Sequence, residues 1–281
     1  MTVGAMTIKD SRANGRAFGG AGRRAGWLVV VSLGLASATG GATRAVGNQP
    51  APSIPGRPAL PRTANGKPDL TGIWESLSTA EWGVEPHAAR KDAPAGLGVV
   101  EGGNIPYQPW ALEKRNANFE KRATEDPLAK CYMPGVPRAT YTPLPFQIFQ
   151  SDDEVTLLYQ YAHTVRTIHA NGTPHPSGHI DWWMGDSRGH WEKDTLVVDI
   201  TDFNDQTWFD RSGDFHSADL HVVERYRLVD PDHIEYRATI EDPKVFTRPW
   251  SIELVLYRHK EKNFQLLEHE CYTFDYERFY P

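Results

Sequence analysis

The sequence predicts a mainly β protein, an antiparallel up-and-down barrel, and three observations support this. From residue 145 onward, short stretches of alternating apolar and polar residues follow one another, as in strands with one buried face. Turn residues separate them at intervals of roughly 8 to 12 residues, which is typical of sandwiches and barrels. Adjacent hairpins with no helix between them favour the barrel.

The first predicted strands cover 145–150, 154–161 and 163–169. The third ends at Asn171-Gly172, whose tolerance of positive φ makes it the strongest short hairpin signal. We therefore expect a hairpin there, with His169 facing His175 across it.

The later strands follow the same rule, with a polar turn inside each pair. They are predicted at 189–201 (two strands around residues 192–194), at 220–229 and 233–241, and at 249–259 and 264–272.

Helical periodicity is convincing only at 109–124, where Pro109 suits a first helical turn and the apolar face is patchy. The surrounding stretch 77–144 does not alternate as strands do. We expect it to wrap or cap the barrel as an irregular insertion with one or two short helices.

The N-terminus indicates export. A basic region, the apolar run 27–37 and the small residues Ala36-Ser37-Ala38 predict a signal peptide over 1–38, with a single N-terminal anchor helix as the alternative. Residues 39–68 are rich in Pro, Gly and Ala and predict an extended linker. One β-barrel domain is then expected over 69–281, in the periplasm or outside the cell.

The composition excludes some classes of binding partner. The net charge is −6 and no basic run stands out in the predicted domain, so nucleic acid is not an expected partner, nor is a membrane after signal removal. The two cysteines, Cys131 and Cys271, are expected to form a disulfide in an exported chain. Two buried free thiols are the alternative.

Two resemblances add to this interpretation. The stretch "DLTGIW", with Gly72 and Trp74, resembles the Gly-x-Trp first strand of the calycins, which include the lipocalins. That resemblance implies a barrel with a ligand cavity, one end of which the tryptophan closes. The motifs "PRTANGKPDLTGIW" and "MGDSRGHWEKDTLVVDITDFND" are similar to a largely uncharacterised family of exported bacterial proteins. This second resemblance implies export and a single β domain, and carries no reaction.

Three residues are candidate catalytic groups. Asp210 and His216 belong to the long loop 201–221 and suit an acid–base pair. Glu224 falls on the apolar face of its strand, where an unpaired carboxylate becomes a general acid or base. Arg166 is expected either to pair with Glu224 or to hold an anionic group of the substrate. The alternatives are a structural salt bridge and a loop held by its own hydrogen bonds.

Candidate substrate-binding residues lie in irregular segments or at strand ends. Trp182 and Trp208 offer aromatic surface outside regular strands, and His163 and His221 flank barrel strands. The stretch 169–191 is interpreted as one wall of a pocket rim.

A metal site is the less favoured interpretation of the histidines. His175 and His179 stand four apart, but Pro174 and Pro176 prevent the helix that would bring them together. The triplet of His216, Asp219 and His221 matches no known metal motif. We therefore predict neither a metal nor an organic cofactor.

The sequence thus predicts an exported barrel that binds a small apolar or aromatic ligand. Cofactor-independent acid–base catalysis, as in a lyase, isomerase or hydrolase, is the first hypothesis. A non-catalytic carrier is the second, and a metal or haem binder the third.

Overall fold

Nine strands form a closed barrel in the computed structural model, which describes residues 59–178 and 180–272. Each strand pairs with the next, and the last returns to the first. The strands are β1 (Gly72–Ser76), β2 (Phe146–Gln150), β3 (Glu154–Tyr159), β4 (Val165–His169), β5 (Asp186–Glu192), β6 (Thr195–Thr201), β7 (His221–Asp230), β8 (His233–Glu241) and β9 (Trp250–Arg258). The predicted mainly β barrel is confirmed.

One neighbouring pair, β4 and β5, runs parallel, whereas the other pairs are antiparallel. A closed ring in which each strand runs antiparallel to both neighbours needs an even number of strands. A ring of nine must therefore contain at least one parallel pair. A parallel pair needs a long connection, and residues 170–185, here called the crossing segment, provide it. The hairpin predicted at Asn171-Gly172, with His169 facing His175, is therefore wrong.

The parallel pair is short, and this leaves a seam in the barrel wall. Only Ile168 with Ser187 and His169 with Arg188 are in register between β4 and β5. The part of β4 from Val165 to Thr167 has no ladder partner on β5.

The barrel interior is filled by alternate residues of the strands. On β7, the predicted inward face is confirmed: Val222, Glu224, Tyr226 and Leu228 are all buried. Trp74 of the Gly-x-Trp stretch is fully buried, and its indole Nε1 donates to the Leu70 carbonyl at 2.8 Å. The Arg258 guanidinium lies 4.1 Å from the centre of its ring.

The stretch between β1 and β2 contains the helices α1 (Pro109–Glu120), α2 (Arg122–Glu125) and α3 (Arg138–Tyr141). It packs on the loop between β6 and β7, where Arg115 Nε donates to Asp214 at 3.0 Å. It also contacts the loop between β8 and β9, where the ring of Tyr107 lies 5.2 Å from that of Phe246. We call this stretch, residues 77–144, the cap. No helix among the described residues is both long and apolar enough to cross a bilayer.

Cys131 and Cys271 form the predicted disulfide. Cys271 lies in the tail after β9, and the strand predicted at 264–272 is wrong. The reason is topological: β9 already pairs with β8 and β1, so the closed barrel has no free edge for a tenth strand.

The predicted signal peptide, residues 1–38, and residues 39–58 of the predicted linker lie outside the described residues. Residues 59–68 form a turn against the barrel, with Arg62 paired to Asp194 at 2.9 Å. Contacts with the barrel therefore begin before Asp69, the first residue of the predicted domain.

Candidate ligand-binding site

A cleft of about 550 Å³ opens at the seam between β4 and β5, and we call it the seam cleft. Strand β4, the end of the crossing segment, the start of β5 and the cap all contribute to it. The apolar lining residues are Met133, Val165, Trp182, Trp183 and Met184, and the polar ones are Glu154, Arg166, Thr167, His169, Asp181, Asp186 and Ser187. The cleft therefore combines an aromatic and thioether surface with seven polar or charged residues.

The backbone of the crossing segment is fixed where it supplies the two tryptophans. The Trp182 amide donates to the Asp202 carbonyl, and the Asn204 amide donates to the Trp182 carbonyl, both at 2.9 Å. The ring of Trp183 lies 4.9 Å from that of Tyr132 in the cap. Trp182 remains 45 % exposed. An exposed aromatic side chain on a fixed backbone is suited to binding a ligand.

Gly185 allows the crossing segment to enter β5 closely. Its φ is 66°, a conformation that favours glycine. A Cβ there would lie 2.5 Å from Ile200 Cγ2 and 2.8 Å from the Phe203 ring. This position therefore requires glycine for both conformation and space.

His175 holds the crossing segment to the barrel wall by bridging two carboxylates. Its Nδ1 lies 2.6 Å from Asp186 Oδ2, and its Nε2 lies 2.9 Å from Asp199 Oδ1. The second oxygen of Asp199 lies 3.0 Å from His221 Nε2. We call this arrangement the His175 bridge. It links the segment to β5, β6 and β7.

Both carboxylates of the bridge are held in the ionised form. Partial burial alone would raise the pKa of Asp186, but hydrogen bonds from Arg188 and His175 outweigh it and lower that pKa below its usual value. Burial alone would also raise the pKa of Asp199, but hydrogen bonds with His221 and His175 outweigh this effect and lower that pKa. Two ionised carboxylates thus lie within hydrogen-bond distance of the two ring nitrogens of His175.

Arg166 and Glu224 meet inside the barrel, next to the seam. Arg166 Nη2 donates to Glu224 Oε2 at 2.6 Å, and both side chains are almost completely buried. Arg166 Nε donates to Ser187 Oγ at 3.0 Å. The ion pair that the strand pattern suggested is present. Among the described residues, Arg166 Nη1 has no hydrogen-bond partner.

Two phenols complete the surroundings of Glu224. The hydroxyls of Tyr236 and Tyr226 donate to Glu224 Oε1 at 2.6 and 3.2 Å. Burial, followed by the nearby negative charge of Glu224, raises the pKa of both phenols well above its usual value. Each hydroxyl therefore keeps the proton that it donates.

The interior beside this cluster is packed with side chains. The gap that they leave is too small to admit a water molecule, and it is lined by Leu70, Ile148, Val155, Leu157, Ile168, Leu196 and Tyr226. The calycin resemblance implied a ligand cavity within the barrel. Here the larger space lies at the seam.

Asp210 lies in the core under the cap. Its Oδ2 accepts the Val84 amide at 2.8 Å, and its Oδ1 accepts the amides of Ser212 and Asp214 at 2.8 and 3.3 Å. Burial, followed by the charge of the neighbouring Asp214, raises the pKa of Asp210 well above its usual value. Tyr107 Oη and Arg115 Nε both donate to Asp214 Oδ1, at 2.8 and 3.0 Å.

His216 is also buried and has partners other than Asp210. Its Nε2 lies 2.7 Å from Thr207 Oγ1, and its Nδ1 lies 2.9 Å from the Ser217 carbonyl. Burial lowers the pKa of His216, so the imidazole is held neutral. Neither Asp210 nor His216 lines the seam cleft. The structure thus brings Arg166 and Glu224 together, and gives Asp210 and His216 separate surroundings.

Apart from Arg166, the candidate binding residues are dispersed. Trp182 lines the seam cleft, and His221 belongs to the His175 bridge beside it. Trp208 lines a separate, mainly polar cleft of about 420 Å³. His163 is exposed and lies 3.0 Å from Glu270 in the tail.

A buried charge triad in the cap escaped the sequence interpretation. Arg138 is fully buried and donates to Glu81 at 2.7 and 3.1 Å and to Asp126 at 2.7 and 2.8 Å. Burial raises the pKa of Glu81 even though Arg138 opposes that shift. Since the cap has no strand alternation, nothing in the sequence distinguishes these three residues from surface charges.

The sequence analysis also missed four residues of the seam cleft outside 169–191, namely Met133, Glu154, Val165 and Thr167. A signal for Glu154 existed, because the hairpin of β3 and β4 places it opposite His169. The position of Met133 depends on how the cap docks, which no local pattern encodes.

Among the described residues, no three His, Cys, Asp or Glu side chains are arranged to hold a metal ion. His179, part of the first candidate histidine pair, lies outside them. Comparisons of the chain with protein-family models, curated proteins and solved structures gave no match. The functional argument therefore depends on the geometry of the clefts.

Proposed function

We propose that the protein binds a small molecule with an apolar or aromatic body in the seam cleft. The observation that carries the proposal is the cleft of about 550 Å³ lined by Trp182, Trp183 and Met133. Small-molecule sites typically have volumes of about 300–1,000 Å³, with mostly apolar walls and a few polar groups. The seam cleft lies within this range of volume, and most of its exposed surface is apolar although polar residues outnumber apolar ones in its lining.

Binding without catalysis accounts for these residues better than acid–base catalysis does. Asp210 uses both carboxyl oxygens to accept backbone amides, and His216 contacts a hydroxyl and a carbonyl through its two nitrogens. Both are buried and lie apart from the residues that line the cleft. A substrate in the seam cleft would not contact either group.

Binding can be tested with N-phenyl-1-naphthylamine, a neutral apolar dye that becomes fluorescent when it is shielded from water. We expect saturable binding to the full chain and about a tenfold loss of affinity in Trp182→Ala, since aromatic anchors dominate such sites. The matched control is Trp110→Ala, because Trp110 is 51 % exposed on α1 and does not line the cleft. Equal affinity in Trp182→Ala and the parent chain would contradict the proposal.

We also propose that the protein acts in the periplasm or outside the cell, after cleavage near Ala38. The disulfide supports this, because such bonds persist in oxidising compartments. Expression in a bacterial host, fractionation and mass measurement of the mature N-terminus test it. A full-length chain retained in the cytoplasm, with reduced cysteines, would contradict it.

A further inference from the structure

The charges beneath and beside the seam cleft are largely neutralised within the protein. The guanidinium of Arg166 is 2.6 Å from Glu224, and the Arg166 side chain is 1 % exposed. Asp186 accepts two hydrogen bonds from Arg188, at 2.7 and 2.8 Å. Although Arg166 Nη1 has no hydrogen-bond partner among the described residues, the charge of this guanidinium is already offset by Glu224, so an anionic ligand in the cleft would meet little uncompensated positive charge.

The rim of the cleft carries negative charge instead. Glu154 is exposed, and its carboxylate accepts a hydrogen bond from a neutral donor, Thr156 Oγ1, at 2.9 Å. No salt bridge to Glu154 occurs within the part of the chain that the structure describes. A cation is the group that complements this rim.

The aromatic lining favours the same kind of group. Indole is the side chain that attracts cations most strongly across its face, and the cleft contains two, Trp182 and Trp183. The strength of the attraction increases as the cation is removed from water. An ammonium group near Trp182 and Glu154 would combine cation–π and ionic contacts.

We propose that the seam cleft selects small organic cations, with an apolar or aromatic body on the tryptophans and a cationic group held by Glu154. This refinement rests on the proposed function, since it concerns the ligand of the same cleft. It replaces the hypothesis that Arg166 holds an anionic group of the ligand.

Three compounds of nearly equal size test the proposal: 3-phenylpropylamine, 3-phenylpropan-1-ol and 3-phenylpropanoate. They share the phenylpropyl body and present an ammonium, a neutral hydroxyl and a carboxylate at pH 7. Calorimetric titration at low and high salt should show the amine binding about tenfold more tightly than the alcohol, and the acid binding weakest. The preference should shrink at high salt, because the rim is exposed.

Two variants test whether Glu154 causes the preference for the amine. Glu154→Gln should weaken the amine about three- to tenfold and leave the alcohol unchanged. Asp153→Asn is the matched control: it removes an exposed charge from the adjacent residue, which does not line the cleft. Equal losses in both variants would overturn the proposal, because general surface charge would then explain the preference.

The outcomes separate this proposal from the proposed function. If amine and alcohol bind equally, and both lose affinity in Trp182→Ala, the cleft binds ligands and the selection of cations is wrong. Tighter binding of the acid overturns that selection as well. If neither the dye nor any of the three compounds responds to Trp182→Ala, the proposed function itself fails.

Discussion

Arg166 and Glu224 lie within the barrel, where their charges are removed from water. Desolvation of an ion costs several kcal/mol, and only close pairing with further hydrogen bonds offsets it. Here Ser187, Tyr226 and Tyr236 supply those bonds around the pair. Each charge of the pair therefore depends on the other remaining in place.

Glu224→Gln should lower the free energy of unfolding by about 3–5 kcal/mol, because it leaves the Arg166 guanidinium buried without a counter-charge. Urea denaturation measures the loss. The double variant Arg166→Met/Glu224→Gln should lose less than the sum of the two single variants. The control is Glu192→Gln, which breaks an exposed contact with Arg225 and should have little effect. Strict additivity of the buried pair would contradict the expected coupling.

Asp210 should make stability fall as the pH rises. Its pKa is raised in the folded state by burial and by Asp214. Its contribution is therefore fully present below the unfolded value of about 3.9 and is lost as the pH rises through the folded pKa. Asp210→Asn cannot ionise at this position. The unfolding free energy of the parent chain minus that of this variant should therefore decrease as the pH rises. A difference that stays constant between pH 4 and pH 8 would contradict this assignment.

At the scale of elements, the odd number of strands requires a parallel pair, and the crossing segment is the connection between the two strands of that pair. The same segment supplies much of the lining of the seam cleft. One of its attachments to the wall is the His175 bridge, to which the ionised carboxylates of Asp186 and Asp199 contribute. The pKa values of both carboxylates are lowered in the folded state. This stabilisation is therefore present above about pH 4 and is lost as the pH falls through the lowered values.

His175→Ala should loosen the crossing segment without unfolding the barrel. We expect faster amide hydrogen exchange in residues 170–185 and a much smaller change in the core strands, because the bridge involves partly exposed groups at one edge. His190→Ala is the matched control, since His190 is exposed on β5 and its imidazole lies 3.3 Å from Glu192, another exposed residue, and does not belong to the His175 bridge. Unchanged exchange in residues 170–185 would show that other contacts hold the segment.

Local patterns predicted most of the strands because alternation reports which face of a strand is buried. The inward position of Glu224 followed directly from its place between Val222 and Tyr226. The two errors, a hairpin at Asn171-Gly172 and a strand at 264–272, have one cause. Both depend on how the whole ring of strands closes, and no short window of sequence contains that information.

The candidate site was harder to predict than the fold for a related reason. Trp182 stood out because it is an aromatic residue in an irregular segment. Met133 and Glu154 joined it only through the docking of the cap and the register of a hairpin. Asp210 and His216 have residue types suited to catalysis, but the hydrogen bonds that occupy them are visible only in three dimensions.

At the scale of the whole molecule, one covalent bond encloses nearly all of the barrel. The disulfide joins Cys131, in the cap, to Cys271, in the tail after β9, across a separation of 140 residues. The closed loop contains β2 to β9. On the chain-entropy model, closing a loop of this length restricts the unfolded chain by about 5 kcal/mol.

Reduction should therefore destabilise the protein by up to about 5 kcal/mol while leaving the barrel as the folded form, since strand pairing does not depend on the bond. Urea denaturation with and without a phosphine reductant measures the effect, and thiol titration verifies complete reduction. The double variant Cys131→Ser/Cys271→Ser is the control: it should match the reduced parent chain and not respond to reductant. Full reduction with no change in the urea midpoint would mean that the unfolded chain is already restricted between these two positions.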